Sequence, residues 1–208
     1  MNSYDLPIKC KCSKVQGVIK QVNAKNGNHL TCMCIDCQTF AHHLGVEDRV
    51  LDENGGTEIF QTSPSKIEFL EGKEFVKCLR LSPTGTSRWY AECCNTPLAN
   101  TIALEKDFAG VILDSIDFEK IDKFQALGPI KYKVMGKYGK GELPKGTSLG
   151  FPKFLVLKMI FKLTLGKLLK SYLPNPFFNE ETGEHRSTPT ILPKEQRAKI
   201  KSKILASS

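Results

Sequence analysis

Short apolar segments separated by turn residues organise the first half of the chain. Residues 15–22, VQGVIKQV, are rich in β-branched side chains and predict a strand, and the NAKNGN that follows supplies a turn. EIFQT at 58–62, KIEFL at 66–70 and EFVKCLRL at 74–81 repeat the pattern between Ser, Pro and Gly, the rhythm of an antiparallel sheet. Pro83 and Gly85 turn the chain into a further strand over 88–91. Residues 1–130 are therefore expected to be mainly β.

The period changes after residue 150. Over 153–173, Phe154, Leu157, Phe161, Leu165, Leu168 and Tyr172 recur at spacings of 3, 4, 4, 3 and 4, one stripe of an amphipathic helix. The stripe is expected to dock on the β domain or a second protomer with the lysines in water; the less favoured reading lays the helix in a membrane surface. Lys158, Lys162, Lys167 and Lys170 stop every apolar run short of the ~20 residues that cross a bilayer, so no transmembrane segment is expected. Five glycines in GKYGKGELPKGTSLG, residues 136–150, have the composition of a flexible connection between a domain at 1–130 and an extension at 131–208. No GK[ST] follows them, which excludes a phosphate-cradling loop. A Pro- and Gly-punctuated loop and a short basic C-terminal helix complete the extension.

Charge follows the same division. Residues 1–130 hold 14 Lys and Arg against 17 Asp and Glu, whereas 131–208 hold 16 against 5, so the two parts carry −3 and +11. Attraction to lipid headgroups or to an acidic partner protein belongs to the extension. Nucleic acid is disfavoured, because no reading motif is present and aromatic interleaving is confined to Phe177-Phe178.

All eight cysteines lie in the first 94 residues. The N-terminal MNSYDLPIK offers no apolar run for a secretory leader, so a reducing, cytoplasmic location is expected, where clustered thiols point to metal instead of disulfides. Cys10-Lys-Cys12 is followed after nineteen residues by Cys32-Met-Cys34-Ile-Asp-Cys37, and Cys93-Cys94 closes the set. Zinc is the expected ion, since it accepts thiolates tetrahedrally and needs no redox support. Neither common iron–sulfur spacing occurs. Ligand counting suggests two sites. Cys10, Cys12, Cys93 and Cys94 would close a structural zinc; Cys32, Cys34 and Cys37 would hold a catalytic one whose fourth position is left to water, a substrate thiol, or His42 or His43. The two histidines read more simply as an exposed helix turn. Cys78, alone in a strand-like segment, reads as a small core residue.

The order C-x-C, then C-x-C-x-x-C, then Arg88-Trp89-Tyr90 leading into Cys94-Asn95-Thr96-Pro97-Leu98 resembles the glutathione-dependent formaldehyde-activating enzyme family, which includes centromere-protein-V-like members. The resemblance covers roughly residues 8–100. It implies a zinc-stapled β-tent-like fold, a structural zinc on the outer cysteines, and a second zinc on Cys32, Cys34 and Cys37 at which the glutathione thiol meets formaldehyde. The family's closing motif is F-C-x-x-C-G-[ST]; here Ala91 stands where its first cysteine belongs, and Cys93 is the neighbouring substitute.

The resemblance implies a carbon–sulfur lyase activity, the formation of S-hydroxymethylglutathione, with a small-molecule thiol as partner. Lys11, Lys14, Arg80 and Arg88 lie near the cysteines in sequence and are candidates to meet glutathione's carboxylates, although solvated surface charge is the stronger reading of each. The alternative function is a non-catalytic zinc-stapled binding module whose basic tail engages a partner protein or an anionic membrane surface.

Overall fold

The computed structural model describes residues 2–206 and is mainly β, with two sheets. The smaller is a three-stranded antiparallel sheet in the order β1-β2-β5, from Tyr4–Lys9, Gln16–Val22 and Ile67–Glu71. The larger has eight strands. Its middle is an antiparallel run through β3 (Asn28–Cys32), β4 (Thr57–Thr62), β9 (Ala109–Ile112), β8 (Thr96–Thr101), β7 (Ser87–Ala91) and β6 (Val76–Arg80). Its two outermost strands pair in parallel: β10 (Tyr132–Val134) on β3 and β11 (Thr190–Ile191) on β6.

The strands expected at 15–22, 58–62, 66–70, 74–81 and 88–91 are present as β2, β4, β5, β6 and β7. β8 and β9 were not marked by alternation. Every residue of TPLANT and AGVI is buried, since both faces of these central strands are covered, and Trp89 Nε1–H donates to the buried Thr101 Oγ1 at 2.8 Å. Pro7 sits in β1, an edge strand, where its missing N–H costs no ladder bond.

The main core fills the space around Trp89, Phe60 and Phe69. Phe177 and Phe178, from the basic extension, are wedged into it: Phe177 lies 5.1 Å from the Trp89 ring and Phe178 meets that ring edge-on at 6.0 Å. A second cluster, with Phe40, Leu44, Leu79, Leu81 and Leu192, lies under helices α1 (Ile35–Leu44) and α5 (Lys194–Ala206). Two shorter helices, α2 (Glu47–Val50) and α3 (Lys123–Leu127), connect strands.

Residues 136–150, expected as a flexible connection, are held in place. Gly136 N–H donates to Ser148 O at 2.9 Å, Ser148 N–H to Lys133 O at 2.9 Å, and Lys140 N–H to Asn54 O at 3.1 Å. A Cβ on Gly136 or Gly139 would stand 2.6 Å from Thr147 Cγ2 or 2.5 Å from Leu143 Cδ2, so a larger residue at either would make those side chains move.

Helix α4 (Lys153–Leu168) forms where the stripe predicts it, but the stripe does not dock on the β domain. Phe154, Leu157, Phe161, Leu165 and Leu168 are exposed, and only Tyr172, beyond the helix, is buried. The face turned to the protein is Leu155, Met159, Lys162 and Gly166. Gly166 decides the orientation: its Cα lies so close to Asp107 that a Cβ there would be 2.4 Å from the Asp107 Cβ. A backbone approach of that kind needs a glycine, and the bulky stripe has none to offer.

Candidate metal centres

The first centre is built from two tight turns. Cys10 and Cys12 leave β1 in a turn closed by the bond from Ser13 N–H to Cys10 O at 2.8 Å, with Ser13 in the left-handed region at φ 61°. Cys93 and Cys94 occupy the hairpin between β7 and β8, which Asn95 completes at φ 55°. The pairing of β1 with β2, and of β7 with β8, carries these turns to one end of the molecule. There the Cys12 and Cys93 sulfurs stand 3.2 Å apart, Cys10 and Cys12 3.6 Å, Cys10 and Cys93 3.8 Å, and Cys93 and Cys94 3.9 Å.

All four sulfurs lie within 4.8 Å of one another. Four thiolates around a tetrahedral ion at about 2.3 Å stand roughly 3.8 Å from each other, so this donor set fits zinc in chemistry and in spacing. The outer shell fits too: Val15 N–H donates to Cys10 Sγ at 3.2 Å, and the Thr96 hydroxyl lies 3.1 Å from Cys94 Sγ. Ala91, at the position of the resembled family's first closing cysteine, is fully buried in β7, and Cys93 and Cys94 reach the cluster from the turn instead.

Burial pushes the Cys10 thiol up. Burial also opposes ionisation of Cys94, yet the Thr96 hydroxyl and the backbone and thiol of Cys12 draw it down to about 6. A bound cation would ionise all four sulfurs together.

The second centre joins the end of β3 to the start of α1. Cys32 ends the strand, Cys34 is the N-cap, and Cys37 N–H donates to Cys34 Sγ at 3.3 Å. The Cys34 and Cys37 sulfurs are 3.1 Å apart, and the three lie within 4.8 Å of one another. Gln38, fully buried, locks the junction by donating to Met33 O at 2.9 Å and Tyr138 O at 2.8 Å. The hydrogen bonds of Cys32 and Cys34, with the Arg88 guanidinium, outweigh burial and hold the Cys37 thiol well below its usual value.

Solvated charge, the stronger sequence reading of Arg88, is corrected by the structure: the residue is only 5% exposed. Trp89 enters the main core, so its neighbour in β7 points to the opposite face, which α1 covers. The Arg88 side chain lies over the Phe40 ring at 5.5 Å and donates to Asn100 Oδ1 at 3.3 Å. Thr57 Oγ1, buried without a hydrogen-bond partner, lines the same tight cleft as Cys37, Arg88 and Asn100. Neither Thr57 nor Asn100 carried any signal in the sequence, because strand pairing alone brings them there.

The other candidates fall elsewhere. His42 pairs with Glu47 at 3.1 Å, and neither it nor His43 joins the three-sulfur group. Lys11 pairs with Asp114 at 3.4 Å, Lys14 lies over the Phe75 ring at 5.4 Å, and Arg80 donates to Pro83 O at 3.0 Å. Cys78 is buried in β6 outside both groups, and burial pushes its thiol up to about 11.

One family model, DUF6151, described as a family of unknown function, matches residues 2–185. The chain belongs to this family. The DUF6151 match takes in both cysteine groups and the Phe177-Phe178 wedge and ends before β11 and α5. No curated protein matches the chain.

Proposed function

We propose that both cysteine groups hold zinc in a β-tent-like fold, that Cys10, Cys12, Cys93 and Cys94 close a structural site, and that the Cys32, Cys34 and Cys37 centre takes a small-molecule thiol of the glutathione kind as its fourth ligand. The activity is addition of that thiol to formaldehyde, a reversible carbon–sulfur bond formation. The thiol sulfur attacks the carbonyl carbon, and its proton ends on the former carbonyl oxygen as the hydroxymethyl thioether forms.

The observation that carries this reading is the three-sulfur group itself, which no other ligand-type side chain among the described residues joins. When bound, zinc supplies a site that holds an incoming thiol as thiolate at neutral pH. Three thiolates leave the centre at a formal −1, and a fourth takes it to −2. The buried Arg88 cation, placed against Cys37, offsets that added charge. Cys34 is less buried than Cys32 and Cys37 and marks the side from which a thiol enters.

A second reading makes both zincs structural, and one observation favours it. The cleft beside Cys37 has no room for a water molecule. Zinc content per chain and the spectrum of the cobalt-substituted protein on addition of glutathione separate the two. Two metals, a glutathione-dependent spectral shift, and an altered glutathione–formaldehyde exchange rate by NMR are expected; Cys34→Ser should keep the fold, lose one metal and abolish the shift. Two metals with neither a shift nor a rate change would leave the structural reading standing.

A further inference from the structure

Helix α4 carries two unlike faces. The inner one, through Leu155 and Gly166, rests on the protein beside Asp107, whose Oδ2 is held by the Ser171 hydroxyl at 2.9 Å. The outer one presents Phe154 at 71% exposure, Leu157 at 66%, Phe161 at 68% and Leu168 at 75%, with Ile160 and Leu165 between them. Leu149 at 66% just before the helix and Leu169 at 68% just after it lengthen the apolar run. Six large apolar side chains on one helix face in water go far beyond the scattered exposure normal for a surface.

The charges say what covers that face. In projection Lys158 and Lys167 fall on its two opposite borders, and the helix has no acidic residue. Lys158 on one border lies close enough to Lys131 and to the inner-face Lys162 for their charges to interact, and Lys162 also feels Lys66 and the opposing carboxylate of Asp107. Lys167 pairs with Glu105 at 2.6 Å, but that pair is exposed and weakly held. Two copies of α4 packed face to face would bring these lysine borders together, so the face is self-repelling. It is also not a span, since no helix among the described residues is long and apolar enough to cross a membrane. An apolar face bordered by lysines fits one surface well: acyl chains beneath anionic headgroups, with the lysine stems running along the apolar face and their ammonium groups reaching the phosphates.

We propose that α4 is an interfacial membrane helix that docks the protein on anionic lipid, with Leu157 and Phe161 in the acyl region and Lys158 and Lys167 at the headgroups. The proposal is independent of what the cysteine centres hold.

The test is co-sedimentation of the full-length, metal-loaded protein with vesicles of phosphatidylcholine containing phosphatidylserine, against vesicles of phosphatidylcholine alone. The wild type should bind the anionic vesicles preferentially and lose binding as salt rises. The double change Leu157→Glu with Phe161→Glu should weaken binding at least about tenfold without lowering the melting temperature, because both side chains are already in water. Lys158→Glu should weaken it by about fivefold or more. No binding of the wild type to anionic vesicles, equal binding to both vesicle types, or unchanged binding of the double variant would overturn the proposal. So would sedimentation of the wild type as a dimer that the double variant dissociates, since the face would then belong to a second copy.

Discussion

At the scale of single residues, the cysteines divide by what surrounds them. Cys10 is buried and Cys12 is exposed, yet their sulfurs share one cluster. Removing the exposed one therefore tests metal binding with little disturbance of packing. Cys12→Ser should cost the chain one equivalent of zinc and lower its melting temperature sharply. Structural zinc contributes on the order of 10 kcal/mol or more in small zinc-dependent domains, against about 5–15 kcal/mol for the whole stability of a typical domain. Metal analysis beside a thermal melt checks this, and a variant that keeps both metals and the wild-type transition would refute it. Arg88 teaches the converse lesson about surroundings. A cation that reads as surface charge becomes a buried neighbour of Cys37 once β7 is roofed by α1, and no feature of the tripeptide Arg88-Trp89-Tyr90 distinguishes the two cases.

At the scale of elements, α4 shows that a correct period does not decide which helix face meets the β domain. The 3-and-4 spacing of its apolar residues does make a helix with one apolar stripe. Which stripe meets the protein was decided by close approach: Gly166 admits the Asp107 side chain, and Leu155 completes the contact. Gly166→Ala isolates the effect. In an exposed helix interior that exchange gains about 1 kcal/mol of helix propensity. Here the added methyl meets the Asp107 side chain, and overpacking of this kind typically costs about 1–3 kcal/mol. The melting temperature should fall, and amide protons of 153–168 should exchange faster than in the wild type. A more stable Gly166→Ala protein would show that α4 is not seated on Asp107.

At the scale of the whole molecule, the basic extension completes structures that the first part of the chain begins. β10 and β11 add the outer strands of the larger sheet, Phe177 and Phe178 fill the main core, and α5 packs against α1. The α5 contact is fastened by Lys201 to Asp36 at 2.7 Å and by Arg197 donating to Leu81 O at 2.7 Å. Ile204, only 1% exposed, is its best-buried side chain. Ile204→Ala should destabilise the protein by about 2–5 kcal/mol, the usual range for deleting a buried isoleucine side chain. Denaturant unfolding measures it, and a change near zero would mean that α5 is an ornament on a fold complete without it. Asp36 stands between Cys34 and Cys37, so the same helix is tied directly to the three-sulfur centre.

Read alone, the sequence determined the strands whose pattern is local, the two helices of the extension, and the grouping of seven cysteines into short-spaced sets. Turn residues, a 3.6-residue period and ligand spacing are all properties of near neighbours along the chain. Ligand counting already grouped Cys93 and Cys94 with Cys10 and Cys12, but the sequence did not determine how they meet, which is where two separate sheets end at the same place. Nor did it reveal the all-buried β8 and β9, which lack alternation because both faces are covered, or the burial of Arg88, or the outward turn of the α4 stripe. Each of these depends on what lies across a sheet face or against a helix, and only the tertiary structure supplies that neighbour.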